Sequence, residues 1–253
     1  MATAVIPCGG RGTRMACVAG ALPKELLPVA GKPLLQWTLE EAAAAGIEYA
    51  VVVTSPDKPQ IAEFLTARPP ATERESFRDR LTTSLVVQPS PRGLGDAIAC
   101  ARAAAGGDDV AVLLPDNLFD RSAIAPVLGA RRRTGLACVL IAEVPAGAVG
   151  RGAAGQARCR PRSDGLWDVL AISAKAPTQP STLTPIGRWV FGPDVFDRFE
   201  HLRARLAPGA ELDDVPLLQE LATEGRLVGV PLAGAFFDVG LPDGYRDALA
   251  ALT

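Results

Sequence analysis

Near the start of the chain an apolar run, Val5 to Cys8, leads into Gly9-Gly10-Arg11-Gly12-Thr13-Arg14. Glycines let backbone N–H groups approach phosphate oxygens closely, and Arg14 adds a forked cation suited to the same anion. The segment is not a Walker loop, because no Gly-Lys-Ser/Thr follows, and its glycines do not follow G-x-G-x-x-G, so a tight structural turn also accounts for it. Beyond it comes Pro23-Lys24-Glu25-Leu26-Leu27-Pro28, a lysine held between prolines. The only lysines are Lys24, Lys32, Lys58 and Lys175 in a chain that otherwise uses arginine, which draws attention to Lys24 and Lys175. Asp116 ends Val112-Leu113-Leu114-Pro115-Asp116, and Asp238 follows Gly234-Ala235-Phe236-Phe237. Two carboxylates at the ends of apolar runs, beside a glycine loop and lysines, suit a Mg²⁺ site facing phosphates, since Mg²⁺ takes oxygen ligands. The alternative is that each aspartate caps the turn or helix that follows it.

Other chemistries find less support. The 5 cysteines lie at 8, 17, 100, 138 and 159 with no Cys-x-x-Cys spacing, which argues against a zinc site or a disulfide framework. The single histidine, His201, sits in Phe199-Glu200-His201-Leu202-Arg203, which reads as exposed helix, and no nucleophile elbow accompanies it. With 26 basic against 28 acidic residues the formal net charge is −2, so a nucleic acid or an acidic membrane surface has no global electrostatic attraction to this chain. Arg131-Arg132-Arg133 reads as a solvated helix C-terminus, where cations complement the dipole. The apolar runs are strand-sized and no signal segment is recognised, so a cytoplasmic location is expected.

These groups must be positioned by elements that the apolar pattern marks out. Val5–Cys8, 48–54, 85–88, 109–114 and 136–144 read as strands. Between them, 33–45, 59–67, 93–105 and 122–133 read as helices. This alternation predicts an α/β fold, a largely parallel sheet with helices on both faces. Residues 68–80 read as a loop or marginal helix and 145–162 as a loop or short strands. Strands are expected at 167–172, 186–191 and 227–231, and helices at 195–206, 215–224 and 242–252. With 253 residues, 48% of them hydrophobic, and no linker between two cores, a single domain 1–253 is expected. Ligands of open parallel sheets bind at the carboxyl ends of the strands, where the loop, Asp116 and Asp238 all fall.

Taken in order, Val5-Ile6-Pro7 with Gly10-Arg11-Gly12-Thr13-Arg14-Met15, Pro23 to Pro28, and Lys32-Pro33-Leu34 resemble the bacterial UTP:glucose-1-phosphate uridylyltransferases, within the sugar-1-phosphate nucleotidyltransferases. Gln88 with Arg92-Gly93-Leu94-Gly95, Leu114-Pro115-Asp116, Lys175, Gly187-Arg188, Leu212-Asp213-Asp214, and Asp238-Val239-Gly240 with Gly244-Tyr245 extend the resemblance to about residues 3 to 250. It implies a three-layer, Rossmann-like mixed sheet of the nucleotide-diphospho-sugar transferase type, with a nucleotide half at about 1–135 and a sugar half at about 136–253. It further implies that the loop carrying Gly9, Gly10, Gly12, Thr13 and Arg14 wraps a triphosphate, and that Lys24 contacts phosphate oxygens. Gln88 and the backbone at Gly93 would read a pyrimidine, Asp116 and Asp238 would hold Mg²⁺, and Lys175 would bind the sugar phosphate. Gly152, in the glycine-rich loop 147–155, and Ala174 are the expected sugar contacts. The partners implied are a nucleoside triphosphate and a sugar 1-phosphate, and a homo-oligomer is allowed, since such enzymes often form dimers or tetramers.

Departures bear on specificity. Ala174 stands where the family usually has a glutamate that hydrogen-bonds sugar hydroxyls. Gly20 replaces a second lysine, Ala16-Cys17 replaces Leu-Pro, and Asp96 stands where histidine is common. UTP with glucose 1-phosphate is the expected pair. The alternatives are dTTP or CTP, a modified sugar or cyclitol phosphate, or a binding protein that has lost catalysis.

Overall fold

The computed structural model describes residues 1–67, 77–144, 155–173 and 181–252. Nine strands form one sheet: β1 (Ala2–Pro7), β2 (Tyr49–Thr54), β3 (Thr82–Val87), β4 (Asp109–Leu113), β5 (Ala137–Glu143), β6 (Gln156–Pro161), β7 (Trp167–Ser173), β8 (Leu183–Phe191) and β9 (Leu227–Pro231). Their order is β3-β2-β1-β4-β8-β5-β9-β7-β6. β1 is parallel to both β2 and β4, and β2 to β3. β8 is antiparallel to β4 and to β5, and the far edge is antiparallel too, except that β9 runs parallel to β5. The sheet is therefore mixed, parallel where the N-terminal half builds it.

Strand alternation sorts the core. Ala4 and Ile6 of β1 point to one face and Val5 to the other, all fully buried, which is why the strand reads as a continuous apolar run instead of an alternating one. The first face is covered by the helices Leu34–Ala44, Pro59–Thr66 and Ile124–Thr134, through Leu35, Leu39, Ile61, Ile124 and Val127. The second is covered by Leu94–Cys100, Val195–Ala204 and Val215–Thr223, through Ile98, Phe199, Leu217 and Leu221. Helix, sheet and helix make three layers, as the sequence predicts.

Several elements differ from expectation. The helix expected over 93–105 is two pieces, Leu94–Cys100 and Arg102–Ala105. β3 and β8 start three residues earlier than their apolar runs suggest, whereas β6 is a short strand within the segment expected as loop or short strands. Two small ladders escape the apolar pattern because two or three residues carry no readable period. Pro28–Val29 pairs with Lys32–Pro33, and Asn117–Phe119 pairs with Phe236–Asp238. A third apolar cluster, Met15, Leu27, Leu34, Leu118, Val239, Tyr245 and Ala248, docks the last helix, Pro242–Leu252, beside the second ladder. None of the described helices is long and apolar enough to cross a membrane.

Candidate active site

β1 is central in the parallel part of the sheet: the chain moves outward from it to β2 and β3, then returns to place β4 on its other side. That reversal opens a crevice at the carboxyl ends of β1 and β4, the position where open α/β sheets bind ligands. A cleft of about 850 Å³ occupies it. Gly9, Gly10, Arg11, Arg14, Lys24, Gln88, Gly93, Asp116 and Asp238 all line it, so the geometry brings together residues drawn from the whole length of the chain. Gly12 and Thr13 belong to the same loop but are not among the lining residues; Thr13 opens a short turn, Thr13–Met15. Gly152, Ala174 and Lys175 lie outside the described residues.

The two aspartates meet through the small ladder that the sequence did not reveal. Asp238 pairs in register with Asn117, the neighbour of Asp116. At Gly240 a methyl group would lie 3.0 Å from an Asp116 oxygen and 3.1 Å from an Asp238 oxygen, so glycine leaves a space flanked by both carboxylates. Burial opposes charge on Asp116, but the Lys24 ammonium, which is hydrogen-bonded to it, and Arg14 outweigh that and hold its carboxyl below the usual range. Asp238 is pushed the other way, by burial and then by the charge of Asp116, which outweigh Arg14, the Gly240 N–H and Lys24. A divalent cation would relieve that repulsion, and hard carboxylate oxygens fit Mg²⁺. Among the described residues no third acidic, histidine or cysteine side chain joins them, so phosphate and water oxygens would supply the remaining ligands.

Asp116 is held from behind. The fully buried Arg188 donates to the carbonyls of Leu114 (2.9 Å) and Asn117 (3.1 Å), on either side of it. Arg188 also donates to Glu41 at 3.0 and 2.6 Å, and the other Glu41 oxygen accepts the N–H groups of Ala123 and Ile124 at the start of a helix. The glycine loop is held in the same way by a residue the sequence reading passed over. Lys58 donates to the Cys8 carbonyl (2.6 Å) and to both oxygens of Glu25 (3.1 and 2.9 Å), the neighbour of Lys24, with Glu25 and Lys58 both buried. A signal did exist: Lys58 directly precedes the helix Pro59–Thr66, where a cation opposes the dipole and so needs another partner.

The resemblance has Gln88 reading a pyrimidine, and the fold fixes which end of its amide is available for that. In the fold its Nε2 donates to Asp96 Oδ2 (2.7 Å) and to the Gly93 carbonyl (3.2 Å), which commits both amide hydrogens. Only the oxygen faces Gly9, whose missing side chain makes room for it: a methyl group there would lie 2.7 Å away. The Gly93 carbonyl is likewise taken. The cleft is also lined by Pro185, Ile186, Gly187, Val215 and Phe236, which are apolar or offer backbone, and by the acidic Glu211, Asp213 and Asp214.

Comparisons with known proteins give the family and the fold. A family description, nucleotidyl transferase, matches residues 3–253. The chain is 30% identical over 259 residues to UTP-glucose-1-phosphate uridylyltransferase 1 of Staphylococcus saprophyticus, covering 96% of this chain and 89% of that one. It is 29% identical over 262 residues to a UTP-glucose-1-phosphate uridylyltransferase of Bacillus subtilis, covering 96% and 87%. A crystal structure of UDP-glucose pyrophosphorylase complexed with UDP-glucose superimposes with a TM-score of 0.87 at 26% identity, covering 99% of this chain and 98% of the other. The UTP-bound enzyme from Acinetobacter baumannii gives 0.83 at 25% identity, covering 99% and 92%.

Proposed function

Since the chain belongs to the nucleotidyl transferase family, we propose that it transfers a uridylyl group from UTP to a sugar 1-phosphate, glucose 1-phosphate, releasing pyrophosphate. The observation that carries this reading is the convergence of Arg14, Lys24 and two carboxylates on one cleft beside a glycine loop at the switch of strand order. The relatives' names supply the substrate pair.

The reaction is a single displacement. An oxygen of the sugar phosphate attacks the α-phosphorus of UTP, the bond from that phosphorus to the oxygen bridging to the β-phosphate breaks, and pyrophosphate leaves. The attacking phosphate is already ionised, so no general base or covalent nucleophile is required, and the lone His201 is not needed. What the reaction does require is charge neutralisation, because two polyanions must meet. Arg14 and the glycine-loop amides take the triphosphate, Lys24 bridges Asp116 and the phosphates, and Lys175 grips the sugar phosphate. Asp116 and Asp238 would hold Mg²⁺, which when bound would supply further positive charge at the reacting phosphate. Gln88 accepts a hydrogen bond from the base.

The test is a pyrophosphate-release assay across UTP, dTTP, CTP, ATP and GTP, each with glucose 1-phosphate and with other sugar and cyclitol phosphates. UTP with glucose 1-phosphate should turn over fastest in the presence of Mg²⁺. Better turnover with ATP or GTP, or no release with any pair despite nucleotide binding, would overturn the proposal.

A further inference from the structure

Gln88 can present either face of its amide to a ligand, and its neighbours decide which. Its Nε2 has two partners, Asp96 Oδ2 at 2.7 Å and the Gly93 carbonyl at 3.2 Å, and a carboxylate and a carbonyl can only accept. Turning the amide over would set oxygen against oxygen at both contacts. Asp96 is itself held, its second oxygen accepting from Arg203 Nη2 at 2.8 Å, and Gln88 and Asp96 are 2% and 7% exposed. Arg203 reaches across from the helix Val195–Ala204, and its other nitrogen donates to Glu200 at 2.7 Å. The Gln88 oxygen accepts no hydrogen bond among the described residues and faces the cleft beside Gly9.

We propose that Asp96, held by Arg203, is a specificity-determining residue that locks the Gln88 amide with only its oxygen toward the nucleotide base. This rests on the reading in which Gln88 faces that base. A base seated with ring atom N3 against the oxygen is accepted when N3 carries a proton, as in uracil and thymine. It is rejected when N3 carries a lone pair, as in cytosine. Asp96 touches no substrate and acts only through Gln88, so it is a positioning residue.

The test compares kcat/KM for UTP, dTTP and CTP, with saturating glucose 1-phosphate, in the wild-type enzyme and in Asp96→Asn and Arg203→Leu. The wild type should favour UTP and dTTP over CTP by about a hundredfold or more, because a site built around one hydrogen bond rejects the analogue that cannot make it. An asparagine at 96 can donate as well as accept, which removes the shorter of the two contacts that oppose reversal of the Gln88 amide and leaves only the longer one, to the Gly93 carbonyl. In Asp96→Asn the UTP-to-CTP ratio should therefore fall by about tenfold or more, through gain with CTP as well as loss with UTP. Arg203→Leu should lower the ratio by a smaller factor, and because that side chain is half-exposed the variant keeps the proposal testable if Asp96→Asn does not fold. Loss of merely structural support would depress all three nucleotides together. An unchanged ratio in a folded variant overturns the role of Asp96 while leaving the proposed activity standing. A wild-type preference for CTP overturns the lock, and a preference for ATP or GTP removes the base reading with it.

Discussion

Two sets of residues at the cleft are built on different principles. Around the glycine loop and the two carboxylates, polar side chains are paired before any substrate arrives: Lys24 with Asp116, Lys58 with Glu25, Arg188 with Glu41, and Gln88 with Asp96. Elsewhere in the lining, Pro185, Ile186, Gly187, Val215 and Phe236 offer shape and backbone. The proposed reaction accounts for the contrast. A triphosphate brings charge that must be met by groups already oriented, since reorganising them during the reaction would cost energy. Preorganised charge has to be buried and paired to stay in place, and each pair becomes a point of vulnerability.

The largest effect should come from that vulnerability. Lys58→Met leaves Glu25 buried without its cation, and breaking such a pair costs about 3–5 kcal/mol. A thermal melt should show a drop of roughly 10 °C or more at the conversion that applies to a chain of this size. Adding Glu25→Gln should restore much of it, and a single variant that melts like the wild type would remove the distinction between the paired and the apolar lining. In the apolar lining Ile186→Val should cost only about 0.5–1.5 kcal/mol.

Asp116→Asn should lower kcat by about a hundredfold or more while leaving the fold intact, as expected when a group supporting transition-state charge is removed. Steady-state rates at limiting Mg²⁺ would measure it, and near-normal turnover would defeat the assignment of the metal pair. A smaller change should follow from giving the sugar side a charge. Ala174→Glu should raise kcat/KM for glucose 1-phosphate by about tenfold, the value of a hydrogen bond to a charged group, with the KM for UTP unmoved. Equal changes with both substrates would show that the halves are not separable.

The smallest effect is one of sign. Burial and the charge of Asp116 push the Asp238 carboxyl up, so ionised Asp238 costs the free protein stability above its folded pKa, and that cost disappears as pH falls through it. Asp238→Asn should raise Tm at pH 7 by the order of a few degrees, with the gap from the wild type closing on acidification. Asp116→Asn should instead lower Tm, because it leaves the Lys24 ammonium without its partner. Shifts of the same sign would show that the two carboxylates share one environment.

Much of this was legible in the sequence by itself. The glycine loop after the first apolar run, Lys24 between its prolines, and the aspartates at strand ends are local patterns, and the alternation of strand and helix implied a largely parallel α/β sheet with its cleft at the carboxyl ends. Those features depend on neighbours in the chain, which periodicity and turn chemistry can read. Tertiary structure alone decided the rest. Asp116 and Asp238 face one space because Asn117–Phe119 pairs with Phe236–Asp238, a ladder too short to carry a period. Gln88 turns only its oxygen to the cleft because Asp96 lies beside it and Arg203 arrives from a helix more than 100 residues further along. Lys58 supports the glycine loop because folding places Cys8 and Glu25 against it. Residue type determines which charges and hydrogen bonds are available, but their polarity and strength depend on partners brought close by the packing of distant segments, and no spacing along the chain encodes that.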